Sequence, residues 1–101
     1  MSTNEPFDTP EQGTEEYIAM RMASIRYHRN YLLNKFLLEN NWKLERHTRE
    51  LKLITLGLKS ETTLSQNVVD SFHIYIQALC DMPQNITDDV IDSPVWPKEP
   101  T

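Results

Sequence analysis

The sequence predicts an all-α protein, with two or three helices forming a long helical hairpin, a coiled-coil-like element with disordered tails. Three observations predict it. All six prolines lie at the ends, and none falls between residues 11 and 82, so the central block is free to be helical. Apolar residues in that block recur at helical spacing. The one β-like run, Phe72-His73-Ile74-Tyr75-Ile76, has no second strand to pair with. At 101 residues the chain holds one small domain. It divides into an acidic, disordered tail over 1–12, a helical hairpin over 13–82 and an acidic, proline-rich, disordered tail over 83–101.

The first helix opens on Thr9-Pro10-Glu11-Gln12, a capping box with proline at the first helical position. Gly13 weakens that start and moves the firm helix toward Thr14. Ile18, Met22, Ile25, Leu32 and Phe36 then share one face, with Arg29 interrupting. Met20, Tyr27, Tyr31 and Leu38 add apolar surface elsewhere around the helix. A helix apolar on more than one side must be covered on more than one side, and a chain this short has little to cover it with.

Further on, Leu33, Leu37, Asn40, Leu44, His47, Leu51, Ile54 and Leu58 follow alternating steps of four and three. This is a heptad seam with two polar positions that set register. Glu39 with Lys43, Glu45 with Arg49 and Arg46 with Glu50 stand at the four-residue spacing of intrahelical pairs. Asn40-Asn41 competes for backbone hydrogen bonds and can break the helix in two. Unbroken, residues 14–56 form a rod of roughly 65 Å. Gly57 is a natural stop, and the hairpin turn is expected near 57–63. Thr63-Leu64-Ser65-Gln66 repeats the capping-box pattern. Leu64, Val68, Phe72, Tyr75, Leu79 and Met82 form the next apolar stripe, which Pro83 is expected to end.

The net charge of -5 hides a segregation. Residues 13–59 carry nine bases and five acids, and every other part of the chain is acidic. Arg21, Arg26, Arg29, Arg46 and Arg49 have Tyr27, Tyr31 and Trp42 among them. Basic residues interleaved with aromatics can bind nucleic acid. Here acids interrupt the run and the aromatics fall at core-like spacing, so a packed face with solvated arginines is the preferred reading, and no direct nucleic-acid contact is expected.

Catalytic and metal chemistry find no support. One cysteine excludes an internal disulfide framework. Cys80 has no neighbouring base to activate it. His28, His47 and His73 lack the spacing of zinc ligands. There is no glycine-rich phosphate loop and no nucleophile elbow. The expectation is a protein that is not an enzyme and takes no cofactor, metal or small-molecule substrate. The longest apolar run is four residues, and no stretch reads as a signal peptide or membrane span, so an intracellular location is expected. Thr9-Pro10 and Ser93-Pro94 are minimal proline-directed phosphorylation dipeptides. In the C-terminal tail Val90, Ile91, Val95 and Trp96 stand among acids and prolines. Two readings are equally open: Trp96 folds back on the helices, or it anchors an extended segment on a partner.

Arg26-Tyr27-His28-Arg29-Asn30-Tyr31-Leu32-Leu33, followed by Leu37 and Leu38, resembles the segment after the HMG box in the HMG-box subunit of SWI/SNF (BAF) chromatin remodellers. That pattern reads Arg, aromatic, any, Arg, Asn, His, any, Leu, and leads into a coiled coil. Arg26, Tyr27, Arg29, Asn30 and Leu33 match it, whereas Tyr31 replaces the histidine and the HMG box is missing. The resemblance implies a nuclear, helical subunit of a remodelling complex, packed against helical scaffold subunits. Residues expected to meet partners are Arg26, Tyr27, Arg29, Asn30, Leu33, Leu37, Leu44, Leu51, Ile54, Leu58 and Trp96. The alternatives are a subunit of another coiled-coil assembly (kinetochore, microtubule-linked or tethering), or a small helical nucleic-acid-binding protein.

Overall fold

A computed structural model describes residues 11–100. Helix α1 spans Glu15–Thr55, helix α2 spans Gln66–Asn85, and a single 3-10 turn follows at Asp88–Val90. The described residues are all helix and connection, without a strand. No helix is long and apolar enough to cross a membrane. The principal extents are 73 × 24 × 19 Å, with a radius of gyration of 20.0 Å. A compact chain of this length would have about 13 Å, so little of this chain lies far from solvent.

Helix α1 starts at its own cap. The Thr14 hydroxyl accepts from the Tyr17 N–H at 3.2 Å, and Glu15 and Glu16 lie favourably in the positive first turn. Glu11 and Gln12 lie in the turn before the helix, and Gly13 takes φ +89°. Thr9 and Pro10 of the expected box lie outside the described residues. Asn40-Asn41 does not break the helix. Asn40 Nδ2 donates to the Phe36 carbonyl at 3.0 Å, and Asn41 Nδ2 donates to Glu45 Oε1 at 3.3 Å. Both amides are satisfied along the helix, so neither draws the backbone out of it.

The end of α1 is a Schellman motif. Gly57 N–H donates to Ile54 O at 3.0 Å and Leu58 N–H to Leu53 O at 2.8 Å, with Gly57 at φ +76°. Glycine adopts that left-handed conformation without a Cβ penalty. The return turn is held from within α1. Glu50 accepts from the Thr63 N–H at 3.0 Å and from its hydroxyl at 2.8 Å, and lies 3.4 Å from Lys59 Nζ. Thr63 is thereby occupied, and Ser65 caps α2 instead, accepting from Val68 N–H at 3.3 Å. The capping box expected at Thr63 does not form, and the N-cap lies two residues further along the chain. The same contacts take Glu50 away from Arg46, its expected intrahelical partner.

Helix α2 lies antiparallel on α1 through Val69, Phe72, Tyr75, Leu79 and Met82, all buried, with Val68 and Leu64 half-buried beside them. Phe36 sits at the centre, edge-on to Phe72 at 5.3 Å and to Tyr75 at 4.9 Å between ring centroids. Leu79 is fully buried. Pro83 does not end the helix. It lies in the last turn, where the missing N–H forfeits a single backbone bond, and it is buried.

The described part of the segment over 83–101 is not an extended tail. Helix α2 is 20 residues long and α1 is 41, about 30 Å against about 60 Å. The N-terminal third of α1 therefore runs past the end of α2. The chain after α2 covers it: Ile91 joins Ile25 and Met82 in a second core cluster, with Ile18, Met22, Ile86 and Trp96 packed around them. Asp92 accepts from Gln12 at 2.7 Å and from the Tyr17 hydroxyl, and pairs with Arg21 at 3.6 Å. Arg21 also donates to the Ile91 carbonyl at 3.2 Å and 3.3 Å. The Tyr17 hydrogen bond lowers the Asp92 pKa and raises that of Tyr17. The chain then turns back, and Trp96 meets His28 edge-on at 4.6 Å. Of the two readings of Trp96, the fold-back is the one observed.

Two predictions follow from this packing. Leu79→Ala should cost about 2–5 kcal/mol in a urea melt, the range for an apolar side chain removed from a core, whereas the exposed Leu38→Ala should stay within about 0.5 kcal/mol. The Thr63 N–H, the Thr63 hydroxyl and the Lys59 ammonium lower the Glu50 carboxyl from 4.5 to about 2. Its folded value lies below its unfolded one, so ionised Glu50 stabilises the fold above pH 4.5, and that contribution fades as pH falls toward 2. Glu50→Gln should lower Tm at neutral pH, and its curve should converge on the wild-type curve through that acid window.

Candidate protein-binding face

Helix α1 is apolar on two sides, and only one of them is covered. At 100° per residue, Ile25, Phe36 and His47 point toward α2. Tyr27, Tyr31, Leu38 and Trp42 fall in a sector of about 60° centred roughly 150° away. Their exposures are 79%, 57%, 85% and 54%. Large apolar side chains are commonly exposed singly. Here four align along about 22 Å of one helix face. Tyr27, Tyr31 and Leu38, with Asn30, Asn34 and Lys35, line a shallow open groove.

Trp42 closes the row. Its indole N–H donates to Glu39 O at 3.1 Å, so its polar edge is satisfied within the helix. Arg46 stands 5.0 Å and Lys43 5.9 Å from the ring centroid, within cation–π range. The stripe is therefore aromatic but for Leu38 and cationic at its C-terminal end. The described residues hold no cluster of three or more His, Cys, Asp or Glu arranged for a metal ion.

The residues expected to meet partners separate into two groups. Tyr27 lies on the stripe and Asn30 beside it, while Arg26 is exposed on the flank between the stripe and the side facing α2. Arg29, the fourth residue of the resemblance, turns inward: its Nε donates to Asn30 Oδ1 at 2.7 Å and its Nη1 to the Cys80 carbonyl at 3.4 Å. Leu33 and Leu44 pack on the Phe36 cluster beneath α2, so this part of the heptad seam is used within the chain. Leu37 is half-buried beside it. Asn40 and His47, the polar seam positions, are buried. His47 Nε2 lies 3.3 Å from Gln66 Oε1 at the start of α2. Leu51 is 45% exposed, Ile54 half-buried, and Leu58 lies beyond the helix at 73%. Trp96 is packed against both core clusters.

Tyr31, Leu38 and Trp42 are not among the residues expected from the sequence to meet partners. Their signal is in the sequence, since Tyr27, Tyr31 and Leu38 step by four and seven and Trp42 follows by four. The inner seam, richer in leucine, masked it. No protein-family model, curated protein or solved structure matches this chain.

The two tryptophans test which surface is free. Trp96→Ala should lower stability by about 1–3 kcal/mol because a packed ring is removed, whereas Trp42→Ala should change it by less than about 0.5 kcal/mol. Urea melts followed by circular dichroism distinguish them.

Proposed function

We propose that this protein is a non-catalytic helical subunit that works by docking on other proteins. The observation that carries the reading is the aligned exposure of Tyr27, Tyr31, Leu38 and Trp42 on the face of α1 turned away from α2. Aromatic residues aligned on a rigid helix suit binding, since they offer large contact area with few rotors to freeze. The charge pattern agrees, with cations beside the stripe and acids over the rest of the chain.

The resemblance of Arg26–Leu33 favours a nuclear assembly of the SWI/SNF remodelling class, with helical scaffold subunits as partners. Arg26, Tyr27 and Asn30 of that stretch stand at the exposed side, in reach of such a partner. Another coiled-coil assembly would use the same face and would differ only in its partners.

The test is a tagged full-length chain at native expression level, purified beside its Leu38→Asp variant. Leu38 is exposed, so the variant should melt with the wild type. The wild type should bring down a remodelling ATPase and its scaffold subunits in near-equal amounts, and the variant should lose them at least ten-fold. Recovery of a different assembly, lost in the same way, would overturn the remodeller assignment and keep the docking role. Equal recovery with the variant, or the chain alone, would overturn the docking role of this face.

A further inference from the structure

We infer that the exposed face of α1 receives an amphipathic helix of a partner protein whose apolar seam is flanked by acidic residues. The inference deepens the proposed docking role and rests on it. It comes from the distribution of charge around the stripe. Residues 26–52 hold seven bases and three acids, while the rest of the chain holds three bases and twelve acids. One of the three acids is spent internally, since Glu50 is buried against Thr63 and Lys59. Glu39 and Glu45 are left to balance Lys35, Lys43, Arg46, Arg49 and Lys52 along and beside the stripe. Lys43 and Arg46 stand over the Trp42 ring, so an apolar contact there brings its occupant against two cations. An occupant with acids at its flanks neutralises them, and one with bases is repelled.

The shape selects a helix. The stripe is straight, about 22 Å long, and spaced by three and four residues. A facing helix matches that spacing with its own. Asn34 lies between Tyr31 and Leu38 on the seam and fixes the register, because its amide needs a polar group opposite. A second copy of this chain fits poorly face to face, since it would set the same basic stretch against itself.

The test uses the full chain and two synthetic heptad peptides of equal length with the same leucine seam, one flanked by Glu and one by Lys. Like charges keep each peptide from pairing with itself. The protein has two tryptophans, and their indole N–H resonances report separately on the stripe and the core. The Glu-flanked peptide should shift Trp42 and leave Trp96 in place. It should bind at least ten-fold tighter than the Lys-flanked one, and the gap should narrow as salt rises. Leu38→Asp, which leaves Trp42 as reporter, should remove the shift. Equal binding of the two peptides, or a shift at Trp96 alone, would overturn the inference. So would self-association through the stripe in sedimentation equilibrium, or tighter binding of a single-stranded DNA oligomer than of the Glu-flanked peptide. If the peptides fail while Leu38→Asp still strips partners from the purified chain, only the acidic-helix inference falls. If that variant keeps its partners, the docking role falls with it.

Discussion

Helix α1 runs for 41 residues and helix α2 for 20, and the fold is organised by that mismatch. Two helices packed side by side bury only the length they share, so the N-terminal third of α1 has no helix beside it. The chain after α2 makes up the difference. Ile91 completes a cluster with Ile25 and Met82, while Asp92 holds Gln12, Tyr17 and Arg21. The C-terminal segment thereby acts as structure although it contains a single turn of 3-10 helix. Two small clusters result, one under α2 and one under the returning chain, and Trp96 touches both.

The second consequence is exposure. A helical hairpin with one returning segment covers one side of its long helix and leaves the other to solvent. On most helices that outer side is polar. On α1 it carries two tyrosines, a leucine and a tryptophan. Apart from Tyr31, whose ring stacks on His28 at 6.2 Å, they stand outside the two core clusters, and the proposed docking role would account for them. Charge is separated along the same lines: α1 carries eight bases and five acids, and the rest of the chain two bases and ten acids. In the proposed contact, an aromatic row flanked by cations would select by charge and by shape together.

The polar residues inside the hairpin serve geometry. Glu50 reaches across the turn to Thr63 and Lys59, which fixes where α2 starts. His47 meets Gln66 at the first turn of α2, and Asn40 closes on its own helix. The contacts that set register thus cluster near the turn, where a hairpin of unequal arms is aligned. The far end is aligned separately by Asp92. The two anchor points bracket the aromatic clusters, and each is readable by pH through a carboxyl whose pKa is lowered by its hydrogen bonds.

The sequence by itself determined the all-helical class, the Thr14 start, the Gly57 stop and the inner stripe of α2. These rest on local chemistry: spacing, caps and a positive-φ glycine. Four things were decided only by tertiary structure. The continuity of α1 through Asn40-Asn41 depends on side-chain amides finding carbonyl and carboxylate partners along the helix. The displacement of the α2 cap to Ser65 depends on Glu50 reaching Thr63 from thirteen residues earlier. The folding back of 86–97 depends on the uncovered length of α1, which no local pattern records. The choice between the two apolar sides of α1 depends on which of them α2 covers. Periodicity shows that a helix has an apolar stripe. Only the partner's position says whether that stripe is core or surface.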